Sequence, residues 1–161
     1  MQNAKDSFYV ALRTRLATTN PERTMLLRGS LRVGILVEEA EASFSQLPND
    51  VFVLRWHNLG VDLDSCSTMA AGECEIAYQT CGTQSFGGLD RGRELSKMDE
   101  EPLAILQPFH TPKVNYITQP PVTMLTQVFW DEPSLGPVVI QRDRLSRSAK
   151  VMVYSYQEQG E

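Results

Sequence analysis

A chain of 161 residues, 42% hydrophobic and 22% charged, has the composition of one soluble globular domain. It is long enough to bury a core without staples, which excludes wholesale disorder. Its net charge of -5 argues against a generic nucleic-acid binder, which needs an excess of Lys and Arg, and leaves room only for a local basic strip.

In chain order, residues 1–17 mix Asp6 and other charges with apolar positions, so neither a signal peptide nor a membrane span is expected and the protein is read as intracellular. Asp6 or Ser7 can cap a helix in which Phe8, Leu12 and Leu16 recur every four residues, with Arg13 and Arg15 flanking the stripe. Thr18, Thr19, Asn20 and Pro21 end it, because proline lacks the amide hydrogen and restricts its predecessor. Residues 32–41 form an apolar run closing on Glu38, Glu39 and Glu41. It reads as a strand leaving the core with a solvated acidic rim, since no hard-cation ligand pattern accompanies the acids.

A turn at 47–50 leads into a strand over 51–57 that ends on Trp56 and His57. His57 has no identifiable catalytic partner and reads as a hydrogen-bonded or exposed histidine. Residues 58–72, small and turn-forming, predict a mobile or contact-making loop. Within it Asp62, Asp64 and Cys66 begin like a calcium loop but lack the downstream glycine and glutamate.

The strongest pattern lies in 73–107. Cys74, Ile76 and Tyr78 alternate with Glu73, Glu75 and Gln79, the period of a strand with one buried face. After Gly82, Gly87 and Gly88, the residues Leu89, Leu95 and Met98 fall on one side of a helix, with Arg91, Arg93, Glu94 and Lys97 elsewhere. Residues 99–102 predict an interruption, with Pro102 opening a restarted helix and kinking the block. Pro108, Pro112, Pro120 and Pro121 predict an extended, mobile connector over 108–121, able to wrap a neighbour. A strand over 122–130 ends in Trp130, a core or interface anchor.

Turns follow at 131–137, and the last strand, 149–156, has Val151 and Val153 on one face and Met152, Tyr154 and Tyr156 on the other. Apolar residues on both faces predict a strand covered on both sides or carrying a subunit contact. Before it, Arg142, Arg144, Arg147 and Lys150 read as a solvated hairpin rim, or as a patch for nucleic acid or an acidic partner.

Cys66, Cys74 and Cys81 lack close CxxC spacing, and His57 and His110 lie far from them in sequence. Cys74 therefore reads as a small buried residue and the others as free thiols, with no metal and no cofactor expected. No phosphate loop, nucleophile elbow, HExxH motif or internal repeat is present in the sequence, and a single domain spans 1–161.

The element order resembles a known family. The helix DSFYVALRTRLA, the strands GILVE and VFVLRW, the strand ECEIAYQTC, the helix LDRGRELSKMDEEPLAIL and the late strand SAKVMVYSYQE are together similar to the tail terminator (minor tail) proteins of tailed bacteriophages and related tail-like systems. The resemblance covers most of the chain. It implies an α+β domain, a mostly antiparallel sheet of about four to five strands with an N-terminal helix and a second, kinked helix packed on it.

It also implies assembly rather than catalysis: a homo-oligomeric ring, hexameric in that family, that sits on the tail tube, stops its growth and joins the head. The implied partners are other copies of the chain, the tail tube protein, a head-tail connector protein and DNA passing through the lumen, with no membrane. The implied location is the virion tail, and the host bacterial cytoplasm during assembly. Candidate subunit-contact residues are Glu38, Glu39, Glu41, Arg91, Arg93, Trp130, Arg142, Arg144, Arg147 and Tyr156. The alternatives are another head-tail connector or baseplate component, or a small enzyme or metal-binding domain using His57, Asp62, Asp64 and Cys66.

Overall fold

A computed structural model describes residues 1–41, 46–63, 67–159 and 161. The four-residue stripe of Ala4, Phe8, Leu12 and Leu16 is wholly buried and makes α1, Gln2–Thr19. The helix begins before the expected caps Asp6 and Ser7. Ser7 is buried inside it, where its hydroxyl donates to Asn3 O at 2.6 Å and accepts the Val114 N–H at 2.9 Å.

The acid-ended run after α1 is not one strand. A hairpin, β1 (Thr24–Leu27) and β2 (Ser30–Val33), turns at Arg28 and Gly29, whose φ values of 50° and 79° are the two positive values a tight hairpin turn requires. Gly34 then separates β2 from β3, Ile35–Val37, and the acids form a single helical turn, α2, Glu38–Glu41.

β4 (Phe52–Asp62) and β5 (Met69–Thr80) form a long antiparallel pair, which corrects the loop expected over 58–72 at 58–62 and 69–72. Its small residues serve close packing: a Cβ on Gly72 would fall 2.7 Å from the Leu59 side chain. Asp64 and Cys66 lie outside the described residues.

After a short 3-10 turn, Gln84–Phe86, α3 runs without a break from Arg91 to Ile105 through Pro102. The expected interruption and restart at 99–102 are therefore absent: Pro102 costs the helix the N–H that would reach Met98 O, and the buried positions Met98, Glu101 and Ile105 on either side of it keep the chain helical. Leu95, Met98 and Ile105 are buried, but Leu89 precedes the helix and is 88% exposed.

Part of the proline-rich connector is a strand, β6 (His110–Asn115), paired with β7 (Val122–Trp130). Next come β8 (Ser134–Leu135), β9 (Val139–Gln141) and the long β10, Arg144–Tyr156.

The main sheet runs β3-β4-β5-β10-β7-β6, with β8 and β9 also on β10. Among the described residues β3 and β4 are parallel and every other pair is antiparallel. The fold is α+β with an N-terminal helix, as expected, on a larger sheet of eight strands plus the separate two-stranded hairpin.

One core joins α1 and α3 to one face of the sheet, through Phe52, Leu54, Cys74, Ile76, Tyr78, Val128, Trp130, Val151 and Val153. Alternation along β5 and β10 leaves Glu73, Glu75, Lys150, Met152 and Tyr154 on the opposite face.

Candidate functional site

The acidic candidates sit on the β3–β4 side of the sheet, and each meets an internal base. Glu39 accepts from Lys5 Nζ at 3.0 Å. Glu41 pairs with Arg32 and also accepts the Val37 N–H at 3.1 Å. Glu38 lies 3.2 Å from Arg55 Nε, close enough for an ion pair although Nε lacks a hydrogen-bond partner of good geometry. Beside them Gln2, Lys5, Asp6, Tyr9, Val37 and Trp56 line a cavity of about 400 Å³, with Lys5 Nζ 5.3 Å above the Trp56 ring.

The basic candidates divide. Arg142, at φ 48°, occupies the β9–β10 turn, and its carbonyl accepts Arg91 Nη1 at 3.3 Å. Arg91 also donates from Nε to Gly88 O at 3.1 Å, and Arg144 pairs with Asp143 at 3.4 Å. Arg93 is exposed on the first turn of α3. Arg91, Arg142 and Arg144 gather at one corner, where Arg142 and Arg144 border a 560 Å³ recess with Gln46, Leu47, Gln79, Gln141 and Ser146.

Arg147 does not join them. Strand alternation turns it to the helix side, where Nη1 donates to Asp99 of α3 at 2.8 Å while Tyr78 OH donates to the other oxygen of the same carboxylate at 2.7 Å. The expected basic strip is thus split by the period of two, with Arg144 and Lys150 on one face and Arg147 on the other. Lys150 meets Glu73 at 3.2 Å.

Trp130 is a core residue rather than a contact anchor. Its ring packs edge-on against Phe8 with centroids 4.9 Å apart, and its indole N–H donates to Leu106 O at 2.8 Å. Tyr156 is partly exposed and lies 6.1 Å from Phe129, which in turn stacks on Tyr154 at 5.5 Å. These rings form an aromatic patch on the face opposite the helices.

His57 lies on the same open face, with Nε2 3.2 Å from Glu75. Burial works to raise the Glu75 carboxyl, but hydrogen bonds from Ser148 and His57 and the nearby Arg55 hold it below the usual carboxylate range. Burial pushes the Cys74 thiol up, so it is a packing residue rather than a nucleophile. Among the described residues no group of three or more His, Cys, Asp or Glu is placed to hold a metal ion.

Sequence reasoning missed the exposed apolar residues at the sheet margins: Leu59, Val61 and Leu63 at the far end of β4, and Leu135, Val138, Val139 and Ile140 around β9. The available signal was the run Val138-Val139-Ile140 directly after Gly136 and Pro137, a short strand pattern lying beside residues read as a turn.

No helix among the described residues is long and apolar enough to cross a membrane. Comparison with protein-family models and with curated proteins gives no match for the chain.

Proposed function

We propose that the chain is a structural assembly protein of a phage-type tail, closing into a ring that caps the tail tube, stops its growth and presents the surface that joins the head. The observation that carries this reading is the placement of charge. The acidic set, Glu38, Glu39 and Glu41, follows β3 at one margin of the sheet, each acid sharing a base of the same chain, while Arg91, Arg142 and Arg144 gather with fewer acids at the β9–β10 turn beyond β10. Ring closure joins one side of a subunit to the opposite side of the next, so complementary surfaces belong on opposite flanks of one body. Exposed apolar residues at both margins supply surface that a monomer rarely leaves open.

On this reading the partners are further copies of the chain, with a hexamer expected, the tail tube protein and a head-tail connector. DNA passes through the lumen. The protein works in the virion tail after assembly in the bacterial cytoplasm.

The test is the solution mass by light scattering across a wide concentration range, with electron microscopy of tail tubes mixed with the protein. A discrete ring-sized species that grows in with concentration, and density on tube ends, are the expected results. A strict monomer at every concentration, with bare tube ends, would overturn the reading.

A further inference from the structure

The geometry points to a specific subunit contact: the far half of β4 in one copy receives β9 of the next copy, so that the sheet continues from subunit to subunit. This rests on the assembly reading above and names the surface through which it would occur.

Most sheet margins are already closed by side chains. On β6, Ser7 accepts the Val114 N–H, Arg15 donates to the carbonyls of Pro108 and His110 at 2.9 Å each, and Pro112 has no N–H to offer. On β3, Tyr9 OH donates to Ile35 O at 3.3 Å and Glu41 takes the Val37 N–H. Such covering is how natural sheets prevent edge-to-edge association.

Two stretches differ. β3 reaches only Phe52–Leu54 of β4, so from Arg55 onward β4 has a strand on one side alone among the described residues. Among the described residues β9 likewise pairs with β10 alone.

Each stretch presents exposed apolar side chains on the same face, although alternation puts Val139, opposite Ser146, on the other. The register shift between His57 and Gly60, with Asn58 at φ 49°, inserts an extra residue into β4. Leu59 thereby lies over Gly72, and Val61 stands opposite Ala70, on the helix side of the sheet. Leu59 and Val61 are each 55% exposed and Leu63 76%. Across the sheet Ile140 pairs with Leu145, which packs on the core, so Ile140 also points to the helix side; it is 75% exposed.

Directions agree as well. β4 runs with β10, because each is antiparallel to β5, and β9 runs against β10. β9 of a neighbour continuing the sheet would therefore meet β4 antiparallel.

Charge is uneven between the two stretches: at the β9 corner Arg91, Arg142 and Arg144 outnumber Asp90 and Asp143, whereas on the β4 flank Glu38, Glu39 and Glu41 are balanced by Arg55, Lys5 and Arg32.

Area decides whether this suffices. The exposed side chains amount to roughly 300 Å² of apolar surface on each flank, and with interfaces about 56% apolar this implies on the order of 1,100 Å² in total, close to the ~1,200 Å² at which specific interfaces begin. One contact alone is then weak, and closing a ring adds the last contact without a further association step.

The test uses the full chain with Cys66→Ser and Cys81→Ser as background, since Cys74 is buried, and a short bis-maleimide as cross-linker. Protein carrying Val61→Cys mixed with protein carrying Ile140→Cys should give a covalent dimer, neither should cross-link alone, and the double variant should give a ladder ending at the ring size. Ile140→Lys, at an exposed site, should raise the concentration of half-assembly at least tenfold while leaving the urea unfolding curve of the monomer unchanged. Self-cross-linking of either single variant would mean a symmetric contact and overturn the inference. Assembly by light scattering without cross-linking in the mixture would overturn the inference and leave the ring reading standing. A strict monomer would overturn both.

Discussion

Trp130 and Phe8 show at residue scale why an aromatic in an apolar strand is ambiguous until its partners are known. The alternation along β7 places Trp130 inward, and its polar edge is satisfied by Leu106 O rather than by solvent. Trp130→Phe therefore leaves a buried carbonyl without its donor and should lower stability by ~1–3 kcal/mol. Phe8→Ala removes the ring between Trp56 and Trp130 and should cost ~3–5 kcal/mol. Urea unfolding followed by circular dichroism checks both.

Acid titration probes another set of residues. Burial works to raise the Glu161 carboxyl, but Lys113, fully buried and 2.5 Å away, outweighs it and holds the group below its usual range. A depressed folded value means the stabilisation is present above the unfolded carboxylate value of about 4.3 and is lost as pH falls through the folded value. Glu161→Gln should flatten that acid limb in urea midpoints measured between about pH 7 and pH 3; an unchanged slope would remove Glu161 from the acid response. The core positions Phe8, Leu12, Cys74 and Tyr78 were legible as periodic apolar residues, whereas the partners of Lys113 and Arg147 were not, because they come from segments 48 residues away in the chain.

Elements are where sequence rules were overridden by neighbours. α3 passes through three consecutive acids and a proline because Glu101 is drawn inward by Arg23, at 2.5 Å from Nε and 2.7 Å from Nη2, and by Asn20 at 2.9 Å. These are long-range contacts that no local propensity contains. Glu101→Ala would strand the Arg23 guanidinium in a site where both side chains are nearly buried, and a loss of ~3–5 kcal/mol is expected. The loop expected over 58–72 misread small residues as turn formers, when Gly72 makes room for Leu59 and Ala70 and Ala71 pair across to Val61 and Gly60. The bulge there has a direct test. Asn58 holds a left-handed conformation that asparagine and glycine tolerate, so Asn58→Gly should leave stability within a few tenths of a kcal/mol, while Asn58→Val should cost ~1–2 kcal/mol. Equal thermal midpoints for the two variants would show that the bulge relaxes.

At the scale of the whole molecule, the N-terminal helix and the central strand–helix unit were readable from periodicity and the α+β class was implied by the resemblance in element order, while the extent of the sheet was not, since β8 is two residues long and β9 shows only the short apolar run 138–140. The two flanks were equally hidden: a sequence shows that acids and arginines cluster, but only strand order sets them on opposite sides of one body.

Their arrangement predicts a particular response to salt. If a neighbour is drawn in by the arginine corner and held by apolar side chains, the electrostatic share acts over distances that screening shortens from about 10 Å at 0.1 M ionic strength to about 3 Å at 1 M. Sodium chloride should then raise the concentration of half-assembly without abolishing it. Ammonium sulfate at matched ionic strength screens equally but strengthens apolar association, and should raise it less or lower it. Reversing both Arg142 and Arg144 to Glu should weaken assembly at low salt and remove most of the sodium chloride dependence, because the attraction being screened is gone. Light scattering across the two salt series reads each effect as a shift in midpoint. A double variant that assembles like the parent in both salts would take the arginine corner out of the contact.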